Sequence, residues 1–335
     1  MSAPTNLAST LAPPFSMVSK YFIASVLSFV LLCGLMVLFS ADIQGHHFQP
    51  KLLAMTHIAT LGWITMVIFG AMFQLVPVVL EVKLFSARLG EIQFWIYTAG
   101  TAGLVYGFWF FHVGVLFTVS ASLITLAMAL FILNIVTTMG RVKQWNLTGL
   151  FLLSALVYLA MTALAGLLLS VNLGYPFISR IHLDYLKIHA HLGFIGWVVM
   201  VIMGVGLKLI PMFGLSHGYS TRPARVALVL VNIGLLGMSI EWLLTGAAWL
   251  LTTYVVILVL GLLTFVVQLV LILKHRMRRI LDLGMKHSVV AFVYFLLSAL
   301  FGLGLATVEI ESTELRESLI LMYGGMIMLG FFSML

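Results

Sequence analysis

The feature that most constrains this chain is a series of long apolar segments separated by short loops. A helix crosses the hydrocarbon core of a bilayer with about 20 apolar residues. Segments of that length lie near 17–40, 52–79, 91–112, 115–138, 148–172, 187–213, 224–247, 250–273, 286–308 and 318–335. The sequence therefore predicts an all-α integral membrane protein with about ten transmembrane helices.

The composition supports this fold class. Of the 335 residues, 62% are hydrophobic and only 8% are charged, whereas soluble domains average about 25% charged residues. Cys33 is the only cysteine, so the chain has no CxxCH attachment site for c-type haem. Residues 1–16 are predicted to form a cytoplasmic N-terminal tail, and residues 17–335 a single transmembrane domain.

The positions of Lys and Arg predict the orientation. With the N-terminus inside, only Lys51, Arg180, Lys187 and Arg316 of the 17 basic residues fall on the outer face. Basic residues collect on cytoplasmic loops, so the net charge of +7 reflects topology, and no nucleic-acid partner is expected. The prediction is a multi-pass protein of a bacterial-type cytoplasmic (inner) membrane, with the lipid bilayer as its partner.

Most histidines fall on one side in this topology. Of ten histidines, seven lie at the outer side: His46, His47, His57, His112, His182, His189 and His191. Imidazoles are common at helix ends, where they are half in water, so His46, His47 and His182 are interpreted as structural. The clustering of the others is the first indication of a function on that side.

An internal repeat relates two of the segments. "HIATLGWITMVIFGAMFQLVP" at 57–77 aligns without gaps on "HLGFIGWVVMVIMGVGLKLIP" at 191–211, an offset of 134 residues. His57 aligns with His191, and a Gly-Trp step and a proline also match. Such repetition is typical of pseudo-symmetric membrane folds.

The same offset applied again reaches the last segment, where Gly325 stands in place of the histidine. Helices 2, 6 and 10 are therefore predicted to be equivalent members of four-helix repeats. Repeat 1 covers about 17–140, repeat 2 about 148–275, and a partial repeat 3 about 286–335. The last segment reaches the end of the given sequence in mid-span, which predicts either a truncated product or a helix stub that a partner covers.

The repeat predicts a cofactor site. His57 and His191 begin parallel helices at one depth, where two neutral imidazoles could ligate haem iron from both sides. His189 lies about 200° around the helix from His191, so it is predicted to face another pocket. Either the porphyrin or a neighbouring helix would approach Gly62 and Gly196, next to Trp63 and Trp197 in the predicted site.

Two further residues are candidates for function. His112 ends the third segment on the outer side and is a possible metal ligand. Glu241 lies in the outer half of the seventh segment, where a carboxylate is costly. It could be protonated and hydrogen-bonded, relay protons, or lie near a haem edge.

These residues resemble the catalytic subunit of the haem-copper oxidase and nitric oxide reductase superfamily. "HAHLGFIGW" at 189–197 resembles the family's His-x-His motif, and His57 resembles its helix 2 haem ligand. The resemblance implies pseudo-symmetric four-helix repeats, b-type haem near the outer face, and an electron donor such as a quinol or cytochrome, or a partner membrane subunit. It also implies a possible oxidoreductase activity, with no catalytic residue identified.

The sequence departs from this family in ways that leave alternatives open. The family has its His-x-His at the start of helix 10, whereas this chain has it on the sixth helix, and the seventh helix lacks the family's histidine pair for copper. Haem binding is still expected, and copper or a second haem or copper site is left open. The NnrS-like haem and copper membrane proteins are the second family considered. A transporter or sensor that uses the outer histidines for protons or metal is the alternative from another functional class.

Overall fold

The computed structural model describes residues 11–43, 46–178, 182–244 and 247–335. Within these residues the regular structure is helical, and no strand is formed. The ten long helices are α1 (Phe15–Leu38), α2 (Pro50–His57, Ile58–Thr65 and Met66–Val79), α3 (Ala87–Trp109), α4 (Val115–Met139), α5 (Leu147–Gly174), α6 (His182–His191, Leu192–Val199 and Met200–Gly214), α7 (Arg222–Leu244), α8 (Ala248–Lys274), α9 (Leu283–Thr307) and α10 (Thr313–Gly325, Met326–Phe331 and Phe332–Met334). The predicted all-α class is confirmed.

Nine helices in the described part of the chain are long and apolar enough to cross a membrane. The remaining long helix, α3, has 23 residues, but polar residues such as Gln93 and Thr101 lower its hydropathy. Large apolar side chains cover the outside of the helices; Leu27 and Val30 on α1 are 64% and 61% exposed. Such surfaces suit lipid tails rather than water, as expected of a multi-pass membrane protein.

Short polar side chains fix where several helices begin. Ser86, Asn146, Asp282 and Ser312 each accept a hydrogen bond from the backbone N–H three residues later, at the starts of α3, α5, α9 and α10. These bonds satisfy amides that have no partner within the helix. The caps explain why the sequence changes from loop to helix at these points.

The chain divides into two compact units, and the division falls inside α6. The first contains Met1–Gln44 and Phe48–Val201, and the second contains Gly45–His47 and Ile202–Leu335. Buried aromatic rings fill the first unit: the Phe69 ring lies 4.2 Å from Phe131 and 5.1 Å from Tyr97, centroid to centroid. Aromatic pairs at such separations add to the stability gained from burial.

Close helix approach and aromatic packing build the second unit. A Cβ placed on Gly234 of α7 would lie 2.6 Å from the Leu258 amide nitrogen of α8, so the two backbones nearly touch. Glycine permits this contact because it has no side chain. Near the end of the described chain, Phe331 of α10 packs against Phe295 of α9 with ring centroids 5.0 Å apart.

In the part of the chain that the structure describes, three helices contain π-helical segments, which the sequence did not predict. They are Ile58–Thr65 in α2, Leu192–Val199 in α6 and Met326–Phe331 in α10. Their starts are separated by 192 − 58 = 134 and 326 − 192 = 134 residues, the offset found in the sequence. Each begins directly after the position of the aligned histidine or its replacement. Segments of this kind are rare and occur frequently at functional sites.

The ends of α2 and α6 also share an unusual backbone geometry. Glu81 and Leu215, again 134 residues apart, have φ angles of 55° and 52°, although neither is glycine. In each case the amide of the next residue donates to a proline carbonyl inside the helix, that of Pro77 at 3.0 Å and that of Pro211 at 2.9 Å. Both helices thus end in a Schellman motif with a side chain where glycine is usual.

Candidate functional site

His57 lies at the junction where the α-helical start of α2 becomes a π segment. Its Nδ1–H donates to the Leu53 carbonyl oxygen at 2.7 Å, and its ring stacks on Phe108 of α3 with centroids 4.6 Å apart. A backbone bond at Nδ1 fixes the tautomer and leaves Nε2 as the basic nitrogen. Metal-ligating histidines are usually oriented in this way.

His191 has the same local arrangement in α6. Its Nδ1–H donates to the Lys187 carbonyl oxygen at 2.7 Å, again four residues earlier and directly before a π segment. The hydrogen bond alone is not distinctive, because His275 at the end of α8 makes it with Leu271 at 2.8 Å. His57 and His191 share in addition the π segment that follows each of them.

His189 points to different neighbours from His191. Its Nδ1–H donates to the Thr162 carbonyl oxygen of α5 at 3.1 Å. Its ring occupies the space beside Gly166, where an added Cβ would lie 2.8 Å from Cε1. All three histidines belong to the first unit. His189 lies within electrostatic range of His57, and His191 within that of Lys187.

The glycines predicted near the cofactor lie against side chains of neighbouring helices. A Cβ on Gly62 would lie 2.8 Å from Oγ of Ser28 on α1, and one on Gly196 would lie 2.5 Å from Cγ of Tyr158 on α5. Of the two approaches considered from the sequence, these contacts favour that of a neighbouring helix. They leave the prediction of porphyrin contact without a supporting observation.

The two predicted tryptophans also make helix contacts. Trp63 packs on Phe29 of α1 with ring centroids 4.5 Å apart. Trp197 is 2% exposed, and its Nε1–H donates to Thr65 Oγ1 of α2 at 3.4 Å. Trp197 thus joins α6 to α2, the two helices that carry the histidines, and helps to set their spacing.

His112 lies among aromatic residues at the end of α3. His112 is exposed beyond the end of α3, with ring neighbours Tyr106 and Phe110 at 5.9 and 6.1 Å. His57 and His189 each have Nδ1 bound to a backbone carbonyl, which leaves Nε2 as the basic nitrogen. Neutral imidazoles of this kind are common haem ligands, so the residues present fit a haem.

Glu241 has a structural partner near the end of α7. The side chain is buried, and its Oε1 accepts a hydrogen bond from the Ala247 backbone N–H at 2.8 Å. Ala247 is the N-cap residue of α8, so the carboxylate lies where the positive end of a helix dipole favours negative charge. This contact explains a buried carboxylate without a proton relay, which stays a prediction.

Replacing Glu241 by glutamine separates the two roles. Glutamine keeps an acceptor oxygen for the Ala247 amide, so we expect Glu241→Gln to change the free energy of unfolding by less than about 1 kcal/mol. Glu241→Ala removes the cap and should cost about 1–2 kcal/mol. Denaturant titration of both variants measures this. An equal loss in both would contradict the capping role.

The sequence analysis missed one cluster of metal-binding side chains in the second unit. His46, His47 and Glu317 each offer one ligand atom, all within 4.8 Å of one another. The two histidines had been interpreted as structural, and Glu317 follows His47 by 270 residues. The adjacent His-His pair was a visible signal, but no local pattern could have joined it to α10.

Comparison with known proteins leaves the family of the chain undetermined. No protein-family model matches the sequence, and no curated protein matches it significantly. The function must therefore be argued from the helices and side chains themselves.

Proposed function

We propose that the chain is a membrane haem protein that transfers electrons. The observation that carries this proposal is the matched setting of His57 and His189 in the first unit: each has Nδ1 bound to a backbone carbonyl, and the two imidazoles lie within electrostatic range of each other. Two imidazoles held in this way each keep Nε2 as the basic nitrogen. The proposal changes the pair expected from the sequence, His57 with His191, because the described interaction of His57 is with His189.

The side chains around the pair would hold and orient the group. The Leu53 and Thr162 carbonyls fix the two ring tautomers, and Phe108 restricts rotation of the His57 ring. With His57 and His189 as its protein ligands, a bound haem would transfer electrons rather than bind a gas. The apolar side chains of α2 and α6 would exclude water and so influence the potential.

His191 serves a second pocket in this proposal. Its ring nitrogen Nδ1 is bound as that of His57 is, but its described charge interaction is with Lys187. It could hold a second haem or copper, which is where oxidoreductase chemistry of the oxidase or nitric oxide reductase type would occur. His191 as the axial partner of His57 is the competing assignment.

We also propose that α2, α6 and α10 are equivalent helices of pseudo-symmetric repeats. Three observations support this: the sequence alignment, the π segments at equal offsets, and the matching ends of α2 and α6. The alignment does not require the backbone features, so they support the repeat independently. The cofactor would then be placed between repeats of one architecture.

The partners follow from this function. The proposal places the N-terminus in the cytoplasm of a bacterial-type inner membrane, with the paired histidines toward the outer face. A quinol, a cytochrome or a partner membrane subunit would supply electrons. The apolar, lipid-suited surface of the helices supports the bilayer as the medium in which this exchange takes place.

A pyridine haemochromogen spectrum of the purified full chain tests for haem and its type, and native optical spectra of two histidine variants choose the pair. We expect a b-type haemochromogen and a low-spin native spectrum, which His189→Ala abolishes and His191→Ala retains. The reverse pattern would assign His191 as the partner of His57. Protein that is well folded but free of haem, when made with ample haem, would contradict the proposal and favour a transporter or sensor.

A further inference from the structure

We propose that His46, His47 and Glu317 form a site for one divalent first-row metal ion of the Zn²⁺ type. These residues lie in the second unit, and none of them takes part in the proposed haem site. The metal site therefore stands or falls independently of the proposed electron transfer. Two imidazoles and one carboxylate are a ligand set that zinc uses in proteins, with a fourth position left for water.

One carboxylate reaches both imidazoles through different oxygens. The Nδ1–H of His47 donates to Glu317 Oε2 at 2.7 Å, and the His47 backbone N–H donates to the same oxygen at 3.2 Å. His46 Nε2 lies 3.7 Å from Oε1, the other carboxylate oxygen. An ion pair with Glu317 explains the position of His47. It does not explain why His46 lies next to the second carboxylate oxygen.

The spacing fits a tetrahedral ion once the three ligand atoms, which lie within 4.8 Å of one another, adjust around it. Bonds of about 2.0–2.1 Å place neighbouring ligand atoms roughly 3.3 Å apart around tetrahedral zinc. The separation of 3.7 Å between His46 and Glu317 is close to this value. The 2.7 Å hydrogen bond of His47 would open by a fraction of an ångström, or His47 would present its other ring nitrogen.

The burial of the cluster suits an ion that keeps one exposed position. The Glu317 side chain is 17% exposed, that of His47 30% and that of His46 49%. The imidazole rings are stacked, with centroids 4.5 Å apart and planes 21° apart, so both edges are presented to the same carboxylate. The cluster is shielded on the carboxylate side and open on the histidine side, where water would complete the coordination.

Occupation of the site would join a loop to the start of a helix. His46 and His47 precede α2, and Glu317 lies in the first two turns of α10. The ion would thus link the loop to the helix within the second unit.

Cobalt titration of the full chain in detergent or nanodiscs tests the site, because tetrahedral Co²⁺ absorbs visible light and Zn²⁺ displaces it. We expect one equivalent of Co²⁺ with intense d–d bands, abolished by excess Zn²⁺. Glu317→Gln and His46→Ala should each lower the affinity by about 100-fold or more, since loss of even an outer partner of a metal ligand costs about 10–100-fold. His46 is exposed, so its variant keeps the test valid if Glu317→Gln fails to fold.

His217→Ala is the matched control, because His217 is an exposed loop histidine of the same unit outside the cluster. It should bind Co²⁺ as the unchanged protein does. Unchanged affinity in His46→Ala, or an absence of saturable Co²⁺ binding to the unchanged protein, would overturn the proposal. An equal loss of affinity in the control would also overturn it, because binding would then be unspecific.

Discussion

Replacing His57 with alanine should abolish the low-spin spectrum of the proposed haem while the helical fold is retained. His57 is the ligand common to both possible pairs, so no other histidine can compensate for it in the same position. Its Nδ1–H donates to the Leu53 carbonyl and its ring stacks on Phe108, so its loss removes one hydrogen bond and leaves a small cavity. Optical spectra of oxidised and reduced protein, with circular dichroism for helix content, measure the result.

His275→Ala provides the matched control for this experiment. His275 makes the same hydrogen bond to a carbonyl four residues earlier, but it is exposed at the end of α8 and precedes no π segment. Its replacement should leave the haem spectrum unchanged. An unaltered low-spin spectrum in His57→Ala would refute the axial role of His57.

Replacing Gly234 with alanine should lower the free energy of unfolding by about 1–3 kcal/mol, the usual cost of overpacking. The new Cβ would lie 2.6 Å from the amide nitrogen and 2.7 Å from Cα of Leu258. Both are backbone atoms of α8, so they cannot turn away as the end of a flexible side chain could. Unfolding of the purified protein by denaturing detergent measures the change.

Gly304→Ala serves as the reference substitution. Gly304 is also inside a helix, α9, but a Cβ there meets nothing within 4 Å. Alanine has the higher helix propensity, by up to about 1 kcal/mol, so this variant should be neutral or slightly more stable. Equal effects of the two substitutions would show that the contact between α7 and α8 does not determine stability.

Much of the fold could be predicted because a bilayer imposes a length and a polarity on each helix. The limits of the prediction come from local polar residues. The predicted segment 318–335 begins several residues late, because Glu314, Arg316 and Glu317 lower the hydropathy of a helix that starts at Thr313. The side-chain bond from Ser312, rather than apolar content, determines that start.

The candidate site could be predicted only in part. The repeat identified His57 and His191, because histidine at matched positions in apolar segments is unusual, and the His-x-His spacing added His189. Which of them interact depends on the packing of α5 against α6, where His189 meets Thr162. His47 contacts Glu317, which is 270 positions later in the sequence. A contact over that separation cannot be predicted from sequence periodicity.

The π segments explain another limit of sequence analysis. A π-helical turn contains more residues than an α-helical turn, so the side chains beyond it are rotated relative to those before it. Projection of α2 on a simple α-helical wheel therefore misplaces Phe69 and Phe73, both fully buried, with respect to His57. The sequence "IATLGWIT" at 58–65 contains no proline that would warn of the change.

The equal spacing of the π segments also has a historical meaning. A wide turn in a helix accommodates an additional residue, so an insertion into a regular α-helix is one way to produce such a segment. Under the proposed repeat architecture, the three segments can be compared as three origins or as one. Three independent insertions would have had to occur at the same place in three helices. One insertion in an ancestral unit, followed by duplication, requires a single event, and histidine at the position before it would then have been kept or lost separately in each copy.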